Sequence, residues 1–186
     1  HATFQQYQDK LWQLVRRYHA AHPLRLGLSR EEARSRLQLT AVLFEALIET
    51  SDLMAEGAVV RDSDHAVQFS PQQEAQIEAF LAQVAAAGIE TPSVKEAVTA
   101  VGEEVYYALV DLGRLVPLND TVLYTPDALA GYTNQIVALA RQNGQITAGE
   151  VRDLFDTSRK YTIALLEYLD QQKITRRVGD ARVLLS

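Results

Sequence analysis

Three residues in a row, Ser158, Arg159 and Lys160, open a stretch that the sequence marks as a helix, with Thr157 or Asp156 in place to cap it. Cations there run against the helix dipole, whose N-terminal end is partly positive and favours Asp or Glu. The mismatch costs from a few tenths to about 1 kcal/mol at an exposed end. An anion removes the conflict, because free N–H groups and the dipole both attract negative charge. Behind this helix, residues 174–184 form a short hairpin that turns at Gly179-Asp180 and carries Arg176, Arg177 and Arg182. A cationic helix start beside a cationic hairpin suits a polyanion, above all a nucleic-acid backbone. It is what a helix-turn-helix with a wing presents.

The helical face decides which of these groups can serve. Tyr161, Ala164, Leu165, Tyr168 and Leu169 fall on one side, which sends Arg159 outward and leaves Lys160 at the margin. Tyr161 then reads as a core residue before it reads as a platform for a stacked base. Adjacent strand residues point to opposite faces, so the flat of the wing offers one of Arg176 and Arg177 and leaves the other to pair with Asp180 or Asp170. On spacing alone, Arg159 and Lys160 suit a solvated helix end as well as a phosphate site.

The elements that position this surface repeat. Helix, helix, helix, hairpin occurs three times with a period of roughly 60 residues. In the first copy, 1–69, Phe4, Tyr7, Leu11, Leu14, Val15 and Tyr18 share one helical face, and Pro23 and Gly27 break the chain. Ser29 opens a short helix with Glu32 as capping-box partner. Thr40 caps a third helix running to about Glu56, where Gly57 stops it, and a hairpin over 59–69 follows. The second copy, 70–125, opens at Ser70-Pro71, with helices at about 71–87, 93–101 and 103–113 and a hairpin tipped by Asn119-Asp120. In the third, 126–186, Thr125-Pro126 repeats that start. One helix runs to Gln142 and another covers 148–155, before the cationic helix and hairpin. The segments PLNDTVLY (117–124) and RVGDARVL (177–184) share one apolar and turn pattern. The fold expected is mainly α with small β-hairpins: three tandem winged-helix domains packed in a row with almost no linker. The third helix of the second copy begins Gly102-Glu103-Glu104, which repels phosphate, and that of the first begins Thr40-Ala41-Val42-Leu43, which is neutral. One unit is expected to bind, and the other two, the acidic middle one included, to space and orient it.

Composition narrows the function. A chain of 186 residues without cysteine holds no disulfide and no thiolate zinc site. A net charge of −6 argues against sequence-blind binding to nucleic acid through a protein-wide field. Lys and Arg stand against Asp and Glu at 8 to 9 in residues 1–69, 2 to 8 in 70–125 and 8 to 7 in 126–186, so a polyanion is drawn to the last part. No apolar run reaches the roughly 18 residues of a membrane span. His1 opens no signal pattern, and a start without methionine points to a piece of a longer chain. The absence of cysteine fits the cytoplasm. Arg16, Arg17, Arg25, Arg30, Arg34 and Arg36 could meet a second polyanion, but Glu31 and Glu32 lie within helical reach of Arg34 and Arg36 and favour surface pairing. His19 and His22 lack further ligands, so no metal is expected. With no nucleophile–His–acid group, glycine-rich phosphate loop or paired carboxylates, neither catalysis nor a cofactor is expected.

The run TSRKYTIALLEYLDQQKITRRVGDARVLL (157–185) resembles the C-terminal winged helix of the bacterial selenocysteine-specific translation elongation factors, the SelB family. YHAAHPLRLGLSREEARSRL (18–37) and ETPSVKEAV (90–98) resemble the units that precede it. The resemblance implies an extension that binds the mRNA hairpin marking an in-frame UGA for selenocysteine. The factor would then meet the ribosome with its selenocysteinyl-tRNA at that codon. The family's GTP-binding domains and its first winged helix have no counterpart in this sequence. By the same resemblance the hairpin tip is gripped through phosphates and extruded bases. The matching positions are Ser158, Arg159, Lys160 and Tyr161 at the helix start and Arg176, Arg177 and Arg182 in the wing. A departure at Lys173-Ile174, where the family often has glycine, would alter the wing's entry angle. A monomer without membrane contact is implied. An RNA target agrees with A-form geometry, whose major groove is too deep and narrow for a helix, so that readout goes through loops and bulges. About four to five neutralised phosphates would give log K a slope near −3 to −4 against log salt. Two rival functions share the fold: a dimeric regulator that places a third helix in the major groove of duplex DNA, and a protein-interaction scaffold, with which the acidic middle unit is compatible.

Overall fold

The computed structural model describes residues 3–185 and divides the chain into two compact units, one ending at Pro71 and the other beginning at Gln72. The first contains α1 (Phe4–Ala21), β1 (Leu28–Ser29), α2 (Arg30–Leu37), α3 (Ala41–Glu49), β2 (Leu53–Glu56) and β3 (Val59–Asp62). Its antiparallel sheet has the order β1-β3-β2. Leu11 and Val15 of α1, Ala33 of α2 and Phe44, Leu47 and Ile48 of α3 close over Leu28, Leu53 and Val60 of the sheet. Gly27 lets β1 reach that sheet, since a Cβ there would stand 2.7 Å from the Val60 carbonyl oxygen.

Two local expectations for this unit are corrected. Ser29 accepts from the Glu32 amide, but the Glu32 carboxylate turns to Arg36 at 2.6 Å, so only half of the capping box forms. Helix α3 ends at Glu49 instead of near Glu56. The hydroxyls of Thr50 and Ser51 donate to the carbonyls of Ala46 and Ile48 and close its last turn. Leu53-Met54-Ala55-Glu56, good helix formers by propensity, pair with β3 instead. Gly57, at φ 55°, therefore turns the hairpin, and residues 63–70, expected to supply its return strand, contain none.

The second unit contains α4 (Pro71–Ala87), α5 (Val94–Val101), α6 (Glu103–Asp111), β4 (Val116–Asn119), β5 (Val122–Tyr124), α7 (Pro126–Asn143), β6 (Ile146–Thr147), α8 (Ala148–Phe155), α9 (Arg159–Gln171), β7 (Thr175–Val178) and β8 (Ala181–Leu184). Helix, helix, helix, hairpin thus occurs twice within it. Strands β4 and β5 form a two-stranded sheet, and the last sheet has the order β6-β8-β7, the same plan as in the first unit. Val122 and Tyr124 of β5 pack in one cluster with Leu129 and Ile136 of α7 and Leu165, Leu166 and Leu169 of α9. The stretches 70–125 and 126–186 therefore share a core within this unit, and the last winged helix is built onto the hairpin before it. Lys173 takes the left-handed φ of 56° that Gly113 takes at 68° in the matching turn, a conformation that costs a side chain about 1–2 kcal/mol.

Candidate nucleic-acid interface

The start of α9 lacks the cap that sequence assigned to Thr157 or Asp156. Asp156 sits in the left-handed region as the C-cap of α8. Thr157 is buried, and its hydroxyl donates to Oε1 of Glu90 at 3.2 Å. The N-cap position falls to Ser158, whose side chain makes no capping bond. Six other helices, α1, α2, α3, α5, α7 and α8, each have a Ser or Thr oxygen accepting from a first-turn amide. Helix α9 has none and no acid in its first turn, while Ser158, Arg159 and Lys160 are all exposed. Its first amides and two cations therefore face solvent together.

Beside this start lies a cleft of about 480 Å³ between α8, α9 and the wing. Arg159, Ile163 and Glu167, one stripe of α9 at four-residue spacing, form one wall. Thr147 and Gly149 border it at the start of α8, and Arg177 and Asp180 close it from the wing. Arg177 is set by its own turn, donating from Nε to the Gly179 carbonyl at 2.9 Å. The register pairs Arg177 with Arg182 and Arg176 with Val183, so Arg176 is exposed on the opposite face of β7. Among the described residues, no carboxylate makes an ion pair with Arg159, Lys160, Arg176 or Arg177. The α9 stripe was readable in the sequence from its spacing; Glu90, Thr147 and Gly149 were not.

Two residues expected at the contact surface do other work. Arg182 is only 6% exposed, and its Nε donates to Oδ2 of Asp170 at 2.8 Å. The other oxygen of Asp170 accepts from the Thr175 hydroxyl at 2.6 Å, so one carboxylate at the end of α9 ties down both wing strands. Arg182 is neutralised and holds the wing in place. It also takes the acid that had been offered to Arg176 or Arg177. Tyr161 is half-buried, and its phenol donates to the Thr91 carbonyl at 3.3 Å, which anchors the first turn of α9 to the segment before α5. Lys160 lies with Nζ 4.7 Å from the centroid of that ring. Its charge reaches Glu96 at the start of α5, whose carboxyl is held below the usual range first by the Ser93 hydroxyl and amide and further by Lys160.

Other charged groups are satisfied locally. Arg34 pairs with Glu31 at 2.6 Å and Arg36 with Glu32, the surface pairing that their spacing suggests, and Arg30 pairs with Glu45 of α3, a contact that spacing does not show. Arg30, Glu31, Arg34 and Glu45 line the corresponding cleft of the first unit, where these pairs cancel its charge. His19 accepts from the Asp62 amide at 3.2 Å and stacks on His65 with centroids 3.6 Å apart. Burial, then the neighbouring His65, pushes its pKa down to about 4.

Known proteins with related sequences meet at this architecture. A model described as the winged helix of elongation factor SelB, its third, matches residues 138–184, and one for the second such domain matches 13–65; together they take in just over half of the chain. The selenocysteine-specific elongation factor of Desulfomicrobium baculatum is 27% identical over 177 residues, covering 89% of this chain and 28% of that protein. The chain spans less than a third of the length of the curated relatives it matches. The solved mRNA-binding domain of elongation factor SelB from E. coli, in complex with SECIS RNA, superposes with a TM-score of 0.53 at 25% identity, covering 63% of this chain and all of that one. A bacterial selenocysteine-specific elongation factor, EF-Sec, shares the fold over 98% of this chain and 30% of its own length, with a TM-score of 0.54 at 15% identity.

Proposed function

Because the chain belongs to the SelB family, as part of its winged-helix extension, we propose that it binds an mRNA hairpin at the start of α9 and the wing formed by β7 and β8. Binding there would bring the longer factor to in-frame UGA codons. The observation that carries the proposal is the uncapped start of α9, where Arg159 and Lys160 are exposed, Arg159 lines one cleft with Arg177, and no carboxylate among the described residues forms an ion pair with any of the three. In this scheme Ser158, Arg159 and Lys160 take phosphates with the first-turn amides, and Arg176 meets the backbone from the other face of the wing. The cleft offers Arg177 as donor, Glu167 and Asp180 as acceptors and Ile163 as an apolar wall, a mixture suited to one extruded base. Arg182 and Tyr161 act from behind, by fixing the wing and the helix start.

This part of the factor carries no chemistry of its own and works as a monomer in the cytoplasm. The ribosome and selenocysteinyl-tRNA are engaged through other parts of the longer protein. No helix among the described residues is long and apolar enough to cross a membrane. A competition experiment tests the proposal: the chain is offered mRNA hairpins from UGA-containing genes and duplex DNA of equal length at the same salt concentration. A hairpin should displace duplex DNA and not the reverse. Preference for the duplex, or no binding to either with salt-insensitive capture of a protein, would refute it.

A further inference from the structure

Three consecutive residues between α4 and α5 are each held by a hydroxyl from elsewhere in the second unit. The Ile89 carbonyl accepts from Tyr124 of β5 at 2.7 Å. The Glu90 carboxylate accepts from Thr157 at 3.2 Å, and the Thr91 carbonyl accepts from Tyr161 in the first turn of α9 at 3.3 Å. Gly88, at φ 60°, turns the chain into this segment, and the reciprocal Ser93–Glu96 box anchors it on the far side. Thr91 and Tyr124 are both buried, so two of the three anchors lie in or against the core. We propose that segment 89–91 is a positioning element for the RNA site: Glu90 draws the Thr157 hydroxyl away from the α9 amides while Thr91 fixes Tyr161, and together they keep Ser158, Arg159 and Lys160 presented to solvent.

The middle stretch is then more than a spacer, because it supplies the groups that leave α9 uncapped. A Thr is a competent N-cap, and Thr157 immediately precedes the observed cap position. Its hydroxyl can bond to Glu90 or turn to the helix, and the Glu90 bond is the one formed. This inference rests on the RNA reading of α9, and it makes a prediction of opposite sign to simple electrostatics. Glu90 is an exposed negative charge near a proposed phosphate site, so charge alone says that its removal strengthens RNA binding. A positioning role says that its removal weakens it.

The test uses the full chain, with Glu90→Ala, Glu90→Gln and Tyr161→Phe compared with the wild type. Each is titrated with a fluorescent mRNA hairpin from a UGA-containing gene, and amide hydrogen exchange at residues 158–162 is followed without RNA. Glu90→Ala should bind about three- to tenfold more weakly, the range of one lost hydrogen bond. Glu90→Gln, which keeps the acceptor, should stay within about twofold of the wild type. Tyr161→Phe should weaken binding by about threefold with the salt slope unchanged, since no phosphate contact is lost. Exchange at 158–162 should slow in Glu90→Ala, where Thr157 is free to cap the helix start, and quicken in Tyr161→Phe, where the first turn loses its anchor. Affinity of Glu90→Ala equal to or above the wild type, or unchanged exchange, overturns the proposal. A wild-type chain that binds no hairpin overturns the RNA reading instead, and the exchange rates still decide whether 89–91 orders the helix start.

Discussion

Replacing Arg159 by Gln and Arg182 by Gln should produce two different kinds of loss, although both remove one arginine from the same winged helix. Four cations are exposed around the site, Arg159, Lys160, Arg176 and Arg177. Arg182 drops out of that set because Asp170 neutralises it at 2.8 Å and its side chain is 7% exposed. With Arg177 given to the extruded base and about three phosphates neutralised by the others, log K for the hairpin should fall against log salt with a slope of about −2.1 to −2.7. Arg159→Gln removes one of those contacts. It should make the slope shallower by about 0.7–0.9 and cost roughly 1–3 kcal/mol of binding, the range for a charge-assisted hydrogen bond. Arg182→Gln should leave the slope where it was, while lowering both affinity and the stability of the second unit through the loosened wing. Fluorescence anisotropy of a labelled hairpin across a series of KCl concentrations reads both slopes. Lys160→Gln should follow Arg159, Arg177→Gln should cost about 1–3 kcal/mol with the slope near that of the wild type, and Glu103→Gln or Arg61→Gln should follow the wild type. Equal slope changes at Arg159 and Arg182 would refute the assignment of contact to one and support to the other.

Breaking the Asp170–Arg182 pair from one side by Arg182→Ala should destabilise the second unit by about 2–4 kcal/mol, whereas Asp170→Leu with Arg182→Met should recover most of the loss; urea unfolding followed by far-UV circular dichroism compares them. His19 supplies a pH dependence to the first unit. Its folded pKa is lowered to about 4 by burial and by His65 and Arg61, against an opposing pull from Asp62, so the unfolded chain takes up the proton first as pH falls. Stability from this group is complete above its unfolded value of about 6.5 and is lost as pH drops to about 4, a change of roughly 1–3 kcal/mol. Fluorescence of Trp12, the chain's single tryptophan, should report it, and His19→Gln should flatten the profile. Gly27→Ala should lower the same transition by about 1–3 kcal/mol, because its Cβ meets the Val60 carbonyl across the sheet.

Much of the fold was legible because its signals are local. Thr40, Thr125-Pro126 and Ser70-Pro71 mark helix starts within three or four residues of sequence, and the structure begins α3, α7 and α4 there. The first hairpin was not legible. Leu53 to Glu56 carries helical propensity, and only pairing with Val59–Asp62 makes it a strand. The two-residue strands β1 and β6 are shorter than any periodicity can show. In the wing, three arginines look alike along the sequence and differ by register. Strand pairing sets Arg177 and Arg182 opposite each other on the cleft face and Arg176 on the other, and Asp170 at the end of α9 then takes Arg182 and leaves Arg177 to the cleft.

The electrostatic anomaly at Arg159 and Lys160 was visible in one dimension, but its cause was not. A Thr side chain at a helix start is worth about 1 kcal/mol as a cap, close to what one hydrogen bond to a carboxylate contributes. Thr157 therefore stands between two nearly equal partners, the α9 amides beside it and Glu90, 67 residues earlier in the chain. No local rule can predict the outcome of so even a competition; the packing of 89–91 against Tyr124 and Tyr161 settles it by holding the carboxylate within reach. With Thr157 engaged there and Ser158 forming no cap, the first amides of α9 keep the free energy that a cap would have taken. An incoming phosphate can collect it together with the charge of Arg159 and Lys160.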